Sequence, residues 1–369
     1  MITSPNITGL SESENSFAPH RGKQMDEITK EHQEKTTRQL VMVGSLCLVT
    51  LFFAVFSMGT GSSETLDMKT SMKIMFGIQT PSELQSDIIW RLRLPRVLMA
   101  IIAGTALAIA GALMQGCLGN PLVSPLTLGV ASGAALGAAF AIILGFSIFP
   151  KAAIVANAFA FSLLVVAIII QLGSMRSVSA ESYILVGIAI TFISGAIVST
   201  LTYFATDAQL SQLTHWSFGS LSRPTLEDTI WIGAIVVCII PMGLIFAWDL
   251  NAMSLGGDDF AISTGVDPQS TRRNILILSA LLTSVVISFT GLIGFVGLAA
   301  PHMSRLIIGN DYRKLIPCSA VSGSLLMLFA DTVGRTLFAP VVIPVGIMLS
   351  IIGGPVFMYL LMRHRGGVM

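Results

Sequence analysis

The chain has 369 residues, of which 53% are hydrophobic and only 11% charged, with a formal net charge of +1. An ordinary soluble domain carries roughly 25% charged residues, so the composition excludes a soluble globular protein and gives no sign of a nucleic-acid partner. It describes an integral membrane protein.

The charges are also confined. No Asp, Glu, Lys or Arg occurs from Val97 to Pro150, from Ala152 to Met175, from Ser182 to Thr206 or from Val341 to Met362. Such gaps fit bilayer spans, because a charge at the membrane centre costs several kcal/mol. The polar tract of residues 1–38, rich in Ser, Glu, Lys and Gln, reads as a disordered tail ahead of a domain at 39–365. Leu40 to Met58 is the first expected span, followed by a polar segment with a small amphipathic helix near Met68 to Phe76. The sequence RLRLPR, from Arg91 to Arg96, then precedes a span from Val97 to Gln115.

The Pro- and Asn-punctuated turn Gly119 to Pro125 leads to spans at Leu126 to Phe146 and Lys151 to Leu172. A fifth span covers Tyr183 to Phe204, and the interval Asp207 to Glu227 is amphipathic and suited to an interface. The sixth span is Ile230 to Trp248. After the polar loop 249–273, the apolar stretch Asn274 to Ile308 is too long for one span of about 20 residues and short for two. Gly291, Gly294 and Gly297 therefore predict a tight hairpin of two shortened helices. Leu315 to Val333 and Val341 to Leu361 complete about ten transmembrane helices in an all-α membrane protein, with both termini on one face.

Lysine and arginine place that face in the cytoplasm, since most basic loop residues then fall inside. Arg91, Arg93 and Arg96 oppose the trend and suggest an outward basic rim, to which Arg335 is a candidate addition, for acidic residues of a soluble partner. The polar loop 249–273 carries a second signal. Gly256, Gly257 and Gly265 bracket a run, Asp258 to Thr264, able to form about two helical turns, with Asp258 and Asp259 at the favoured N-terminal end.

Small residues at helical spacing, Gly129, Gly133 and Gly137, and then Gly187, Thr191 and Gly195, let helices approach closely. The four cysteines, Cys47, Cys117, Cys238 and Cys318, are far apart, show no metal-ligand spacing and read as packing residues. No phosphate-binding GxxxxGK[ST] occurs, so the chain is not expected to hydrolyse ATP, to be an enzyme, or to need a cofactor or metal. An ion-coupled secondary transporter is the alternative from another class, and Asp331, the one acid inside a span, is the residue it would use.

Several motifs carry a resemblance. LRLPR at Leu92 to Arg96, QGCLGNPLVSP at Gln115 to Pro125, GVASGA at Gly129 to Ala134, GFVGLAAPHMSRL at Gly294 to Leu306, ADTVGR at Ala330 to Arg335 and IPVGIMLSIIGGPVF at Ile343 to Phe357 resemble the FecCD-type permease subunits of iron-siderophore, haem and cobalamin ABC importers. The resemblance implies a type II ABC importer permease fold in a bacterial cytoplasmic membrane. It implies as partners a second permease copy or paralogue, two cytoplasmic ATPase subunits and an external substrate-binding protein. Carried over by position, Gly257, Asp258, Asp259, Phe260, Ala261, Ile262, Ser263, Thr264 and Gly265 would form the coupling helix that engages an ATPase. Arg93, Arg96 and Arg335 match the family's docking arginines, and Ser179, Ala180 and Glu181 lie where it closes an inner gate. Small hydroxylated residues are usual at that gate, and here only Ser179 is one. A ferric siderophore is the expected cargo, with haem or cobalamin the alternatives.

Overall fold

A computed structural model describes residues 18–61, 66–176 and 180–364. The chain divides into two units at Leu46 and Cys47, the first being the N-terminal part of helix α1 (Ala18–Gly59). The tail read as irregular to residue 38 is helical from Ala18 onward, and residues 1–17 lie outside the described residues. The Glu, Lys and Gln of this stretch are good helix formers, and a helix already nucleated in an apolar span propagates cheaply into them.

The second unit contains the rest of the helices. α2 (Met68–Met75) and α3 (Glu83–Ser86) are short, and a π-helical stretch, Asp87–Arg93, runs into α4 (Leu94–Cys117). α5 (Val130–Ile143), α6 (Ala153–Arg176), α7 (Ala180–Tyr203), α8 (Asp207–Ser217) and α9 (Leu226–Ile245) follow. α10 (Ala247–Ser263) is broken at Gly256 and Gly257, and α11 (Pro268–Thr290), α12 (Val296–Ile308), α13 (Tyr312–Thr336) and α14 (Val345–His364) complete the fold.

Among the described residues, seven helical stretches are long and apolar enough to cross a membrane, and α5, α12 and the apolar part of α14 are shorter apolar helices. The expected hairpin over Asn274 to Ile308 is unequal. α11 is full length because it begins at Pro268 and takes Thr271 and Arg272 into the protein interior, so only α12 is shortened. α5 likewise starts late, at the left-handed Gly129, because residues 118–129 are spent on turns.

α4 is the centre of the packing, and every residue from Ala106 to Cys117 is buried. Its neighbours come close because glycines face each other. A Cβ on Gly104 would collide with the carbonyl of Gly323 on α13, and one on Gly111 with the carbonyl of Gly297 on α12. Backbone contact of this kind maximises dispersion where lipid provides no hydrophobic drive. Polar side chains also bridge helices: the Thr105 and Ser324 hydroxyls of α4 and α13 lie 2.8 Å apart, and the Ser162 hydroxyl of α6 donates to Ser284 of α11.

Candidate functional site

The two ends of α4 hold the two groups of residues singled out by sequence. α4 has 24 residues, so these groups stand about 36 Å apart along its axis.

At its N-terminal end Arg93, Arg96 and Arg335 come together around a cleft of about 310 Å³, with Arg91 and Ser222 also on its wall. They do not form an open rim. Arg93 is 5% exposed and donates to the carbonyls of Met58, Gly59 and Leu66 and to the Ser71 hydroxyl, thereby clasping the end of α1 against α2. Arg96 donates to the Asp331 carboxylate at 2.8 Å, and Arg335 approaches its other oxygen at 3.0 Å. Arg335 also donates to the Ser57 hydroxyl and the carbonyls of Ser57 and Thr60. Asp331 pairs with Arg96 and Arg335 while Arg93 bonds only neutral groups, so these three arginines are met by one carboxylate and keep a surplus of two positive charges in a poorly solvated place. Arg91, 80% exposed and paired with Asp87, is the one arginine of the group that reaches freely into solvent. Asp331, the acid a secondary transporter would need, is held between two guanidinium groups with its side chain 1% exposed.

At the C-terminal end of α4, α10 makes two arms. Gly256 and Gly257 leave helical geometry, Gly257 with φ 72° and ψ −161°, a region where an L side chain is strained. The second arm, Asp258 to Ser263, ends in a Schellman-type cap, in which Val266 N–H donates to Ala261 O and Gly265 N–H to Ile262 O. Gly265, at φ 87°, supplies the left-handed residue that the cap needs. Ala261 is fully buried whereas Phe260 and Ile262 are exposed, so the arm rests on the bundle by one small residue and offers its large apolar ones outward, beside the exposed Leu255 at the end of the first arm.

Two polar ties fix the arms, and composition alone did not reveal them. The first arm is tied to the start of α13: Asn251 donates to Asp311, and its side-chain oxygen accepts from Tyr312 N–H, both at 2.8 Å. The Arg313 guanidinium bonds the same Asp311 carboxylate and lies 4.3 Å from the centre of the Trp248 ring. Arg313 and Asn251 together hold the Asp311 carboxyl down to about 2, against the cost of partial burial. The second arm is tied by Arg272, whose guanidinium grips the Asp258 carboxylate with two nitrogens and gives its Nε to Cys117 O at 2.8 Å. Between the arms and residues 305–313 lies a cavity of about 1230 Å³, whose lining includes Gln115, Asn120 and Tyr312. The available signal for Arg272 was its place, beside Arg273, at the polar head of an apolar helix.

Ser179 lies outside the described residues. Ala180 and Glu181 open α7, with Glu181 exposed. Near the C-terminal end of α11, Arg223 caps two helices at once, donating to His215 O and Trp216 O at the end of α8 and to Thr290 O at the end of α11. Burial lowers the affinity of this guanidinium for its proton, and the C-terminal carbonyls it caps favour the cation. Among the described residues no cluster of three His, Cys, Asp or Glu is placed to hold a metal ion.

Comparison with known proteins places these features in a group. The chain is 39% identical over 342 residues to a protein of Methanocaldococcus jannaschii assigned as an ABC transporter permease, covering 89% of this chain and 96% of that one. It is 37% identical over 332 residues to the hemin transport system permease of Yersinia pestis, covering 88% and 96%. Further relatives are named as permeases for vitamin B12, in Vibrio cholerae, and for Fe(3+)-citrate and iron(3+)-hydroxamate, in Bacillus subtilis. A solved ABC transporter assigned to the metal-chelate type, in an inward-facing conformation, superposes with a TM-score of 0.76 at 29% identity, covering 87% of this chain and 99% of that one. The FecCD transport family matches residues 47–363, and the chain belongs to it.

Proposed function

We propose that the chain is the membrane permease subunit of an ATP-driven importer that passes a ferric-siderophore complex inward after a separate binding protein delivers it. The observation that carries this reading is the second arm of α10. A short helix isolated between glycine breaks, resting on Ala261 and turning Phe260 and Ile262 outward, is a handle for a soluble partner. In this reading the partner is one of two cytoplasmic ATPase subunits, and the residues Gly257 to Gly265 are the coupling helix.

The opposite end of α4 supports the other partner. A cleft with surplus positive charge suits acidic side chains of a binding protein, with Arg91 making the first encounter and Arg96 and Arg335 the buried contacts. In this reading the seven long apolar stretches and the shortened α5, α12 and α14 are taken as the ten crossings of a type II permease, with both termini cytoplasmic. The exposed apolar face of α7, with Leu185, Phe192 and Ile193, is available to lipid and to a second permease copy or paralogue. Ala180 and Glu181, beside Ser179, are the gate candidates at the base of that helix. Transport then follows alternating access, with ATP closing the ATPase pair and the arms of α10 carrying the movement inward.

Relatives named for hemin and vitamin B12 favour a second reading of the cargo as haem or cobalamin. Co-purification of the tagged chain in mild detergent, followed by uptake into proteoliposomes with ferric hydroxamate, haem and cobalamin as competing probes, tests both levels. An ATPase partner with vanadate-sensitive, ferric-complex-dependent turnover is expected. Transport by the lone chain in response to an ion gradient would overturn the importer reading, and haem or cobalamin uptake alone would replace only the cargo.

A further inference from the structure

The coupling arm could swing freely between its two glycine breaks. Gly257 and Gly265 both have left-handed φ and open space where a Cβ would stand, so neither stiffens the joint sterically. Something else must convert a push on the arm into movement of the bundle. The bond made by Arg272 is placed to do this. Its side chain is only 5% exposed, whereas Asp258 at the start of the arm is 37% exposed, so the ion pair crosses from the surface into the interior.

We infer that Arg272 is the positioning residue that transmits displacement of the coupling arm to α4. The guanidinium has a rigid planar fork. Two of its nitrogens hold Asp258, and the third holds Cys117 O, the last carbonyl of α4. A bidentate grip fixes orientation as well as distance, so rotation of the arm is passed on as displacement of Cys117 instead of being lost at the glycines. The α4 end is suited to the contact, because the C-terminal carbonyls of a helix attract cations. From Cys117 the movement enters a helix that is buried continuously to Ala106 and in backbone contact with α12 and α13, which leaves little slack.

The inference rests on the coupling-arm reading above, and the test separates the two. The intact permease–ATPase complex is compared by hydrogen–deuterium exchange without nucleotide and after trapping with ATP and vanadate, for wild type, Arg272→Gln and Asp258→Asn. In wild type both the arm (258–265) and the end of α4 (111–118) are expected to change protection on trapping. In Arg272→Gln the arm should still respond and the ATPase remain attached, while the response of residues 111–118 falls by about fivefold or more; the same fall is expected in Asp258→Asn complexes isolated with the ATPase bound. Asp258→Asn keeps Arg272 on Cys117, so it stays informative if Arg272→Gln does not assemble. Full α4 responses in either assembled variant would overturn the role of Arg272. An arm that does not respond in wild type would overturn the coupling reading itself, and with it this inference.

Discussion

Single residues here do work that their type and position in the chain do not announce. Arg93 belongs to a surface-like basic motif, yet it is spent on three carbonyls and a hydroxyl in the interior. Arg93→Met should therefore lower the unfolding temperature of the purified protein, with a loss of roughly 3 kcal/mol from orphaned acceptors. A melting curve unchanged from wild type would show that the clasp contributes nothing. Asp311 makes a pH-dependent contribution. Its carboxyl titrates near 2 in the folded protein, below the ordinary value of 3.8. The stability it adds is thus fully present above about pH 4 and is lost as pH falls from there towards 2. Asp311→Asn should melt below wild type at pH 6, with the gap closing as the pH is taken down to 3, provided both are scanned in the same detergent.

Elements were legible where hydrophobic runs decide structure, and illegible where a buried polar contact does. α2 was expected at Met68 to Phe76 and stands at Met68–Met75, because its amphipathic pattern is local. The start of α11 was placed six residues late, at Asn274, since nothing in the order of residues says that Arg272 finds a carboxylate and a carbonyl inside the protein. For the same reason the arginines of the docking motif could be grouped by resemblance but their burial could not be read. The glycines Gly104 and Gly111 were also passed over, as each meets its partner on a helix nearly two hundred or more residues away. They yield a prediction at this scale. Gly111→Val would drive a side chain into the Gly297 carbonyl, and backbone cannot step aside as a side chain can, so the loss should be at the upper end of about 1–3 kcal/mol. Thermal unfolding of the variant, with Ile109→Val as a mild control, measures it.

At the scale of the molecule, the two ends of α4 are expected to be separable. Reversing the exposed charge in Arg91→Glu should slow association of the binding protein, most clearly at low salt, while leaving ATPase attachment intact. Association kinetics by surface plasmon resonance on nanodisc-embedded complex read this directly, and loss of the ATPase in the same variant would mean that the two faces had been assigned the wrong way round. α4 itself is enclosed by protein from Ala106 to Cys117. Over that half of its length the helix is packed against protein, which leaves it little contact with what passes through the membrane and little part in choosing it. Selection among chemically unlike chelates is then left to surfaces that other helices present, and these can diverge without disturbing the drive. Relatives named for haem, corrinoid and iron(III) cargoes could share one drivetrain under different linings.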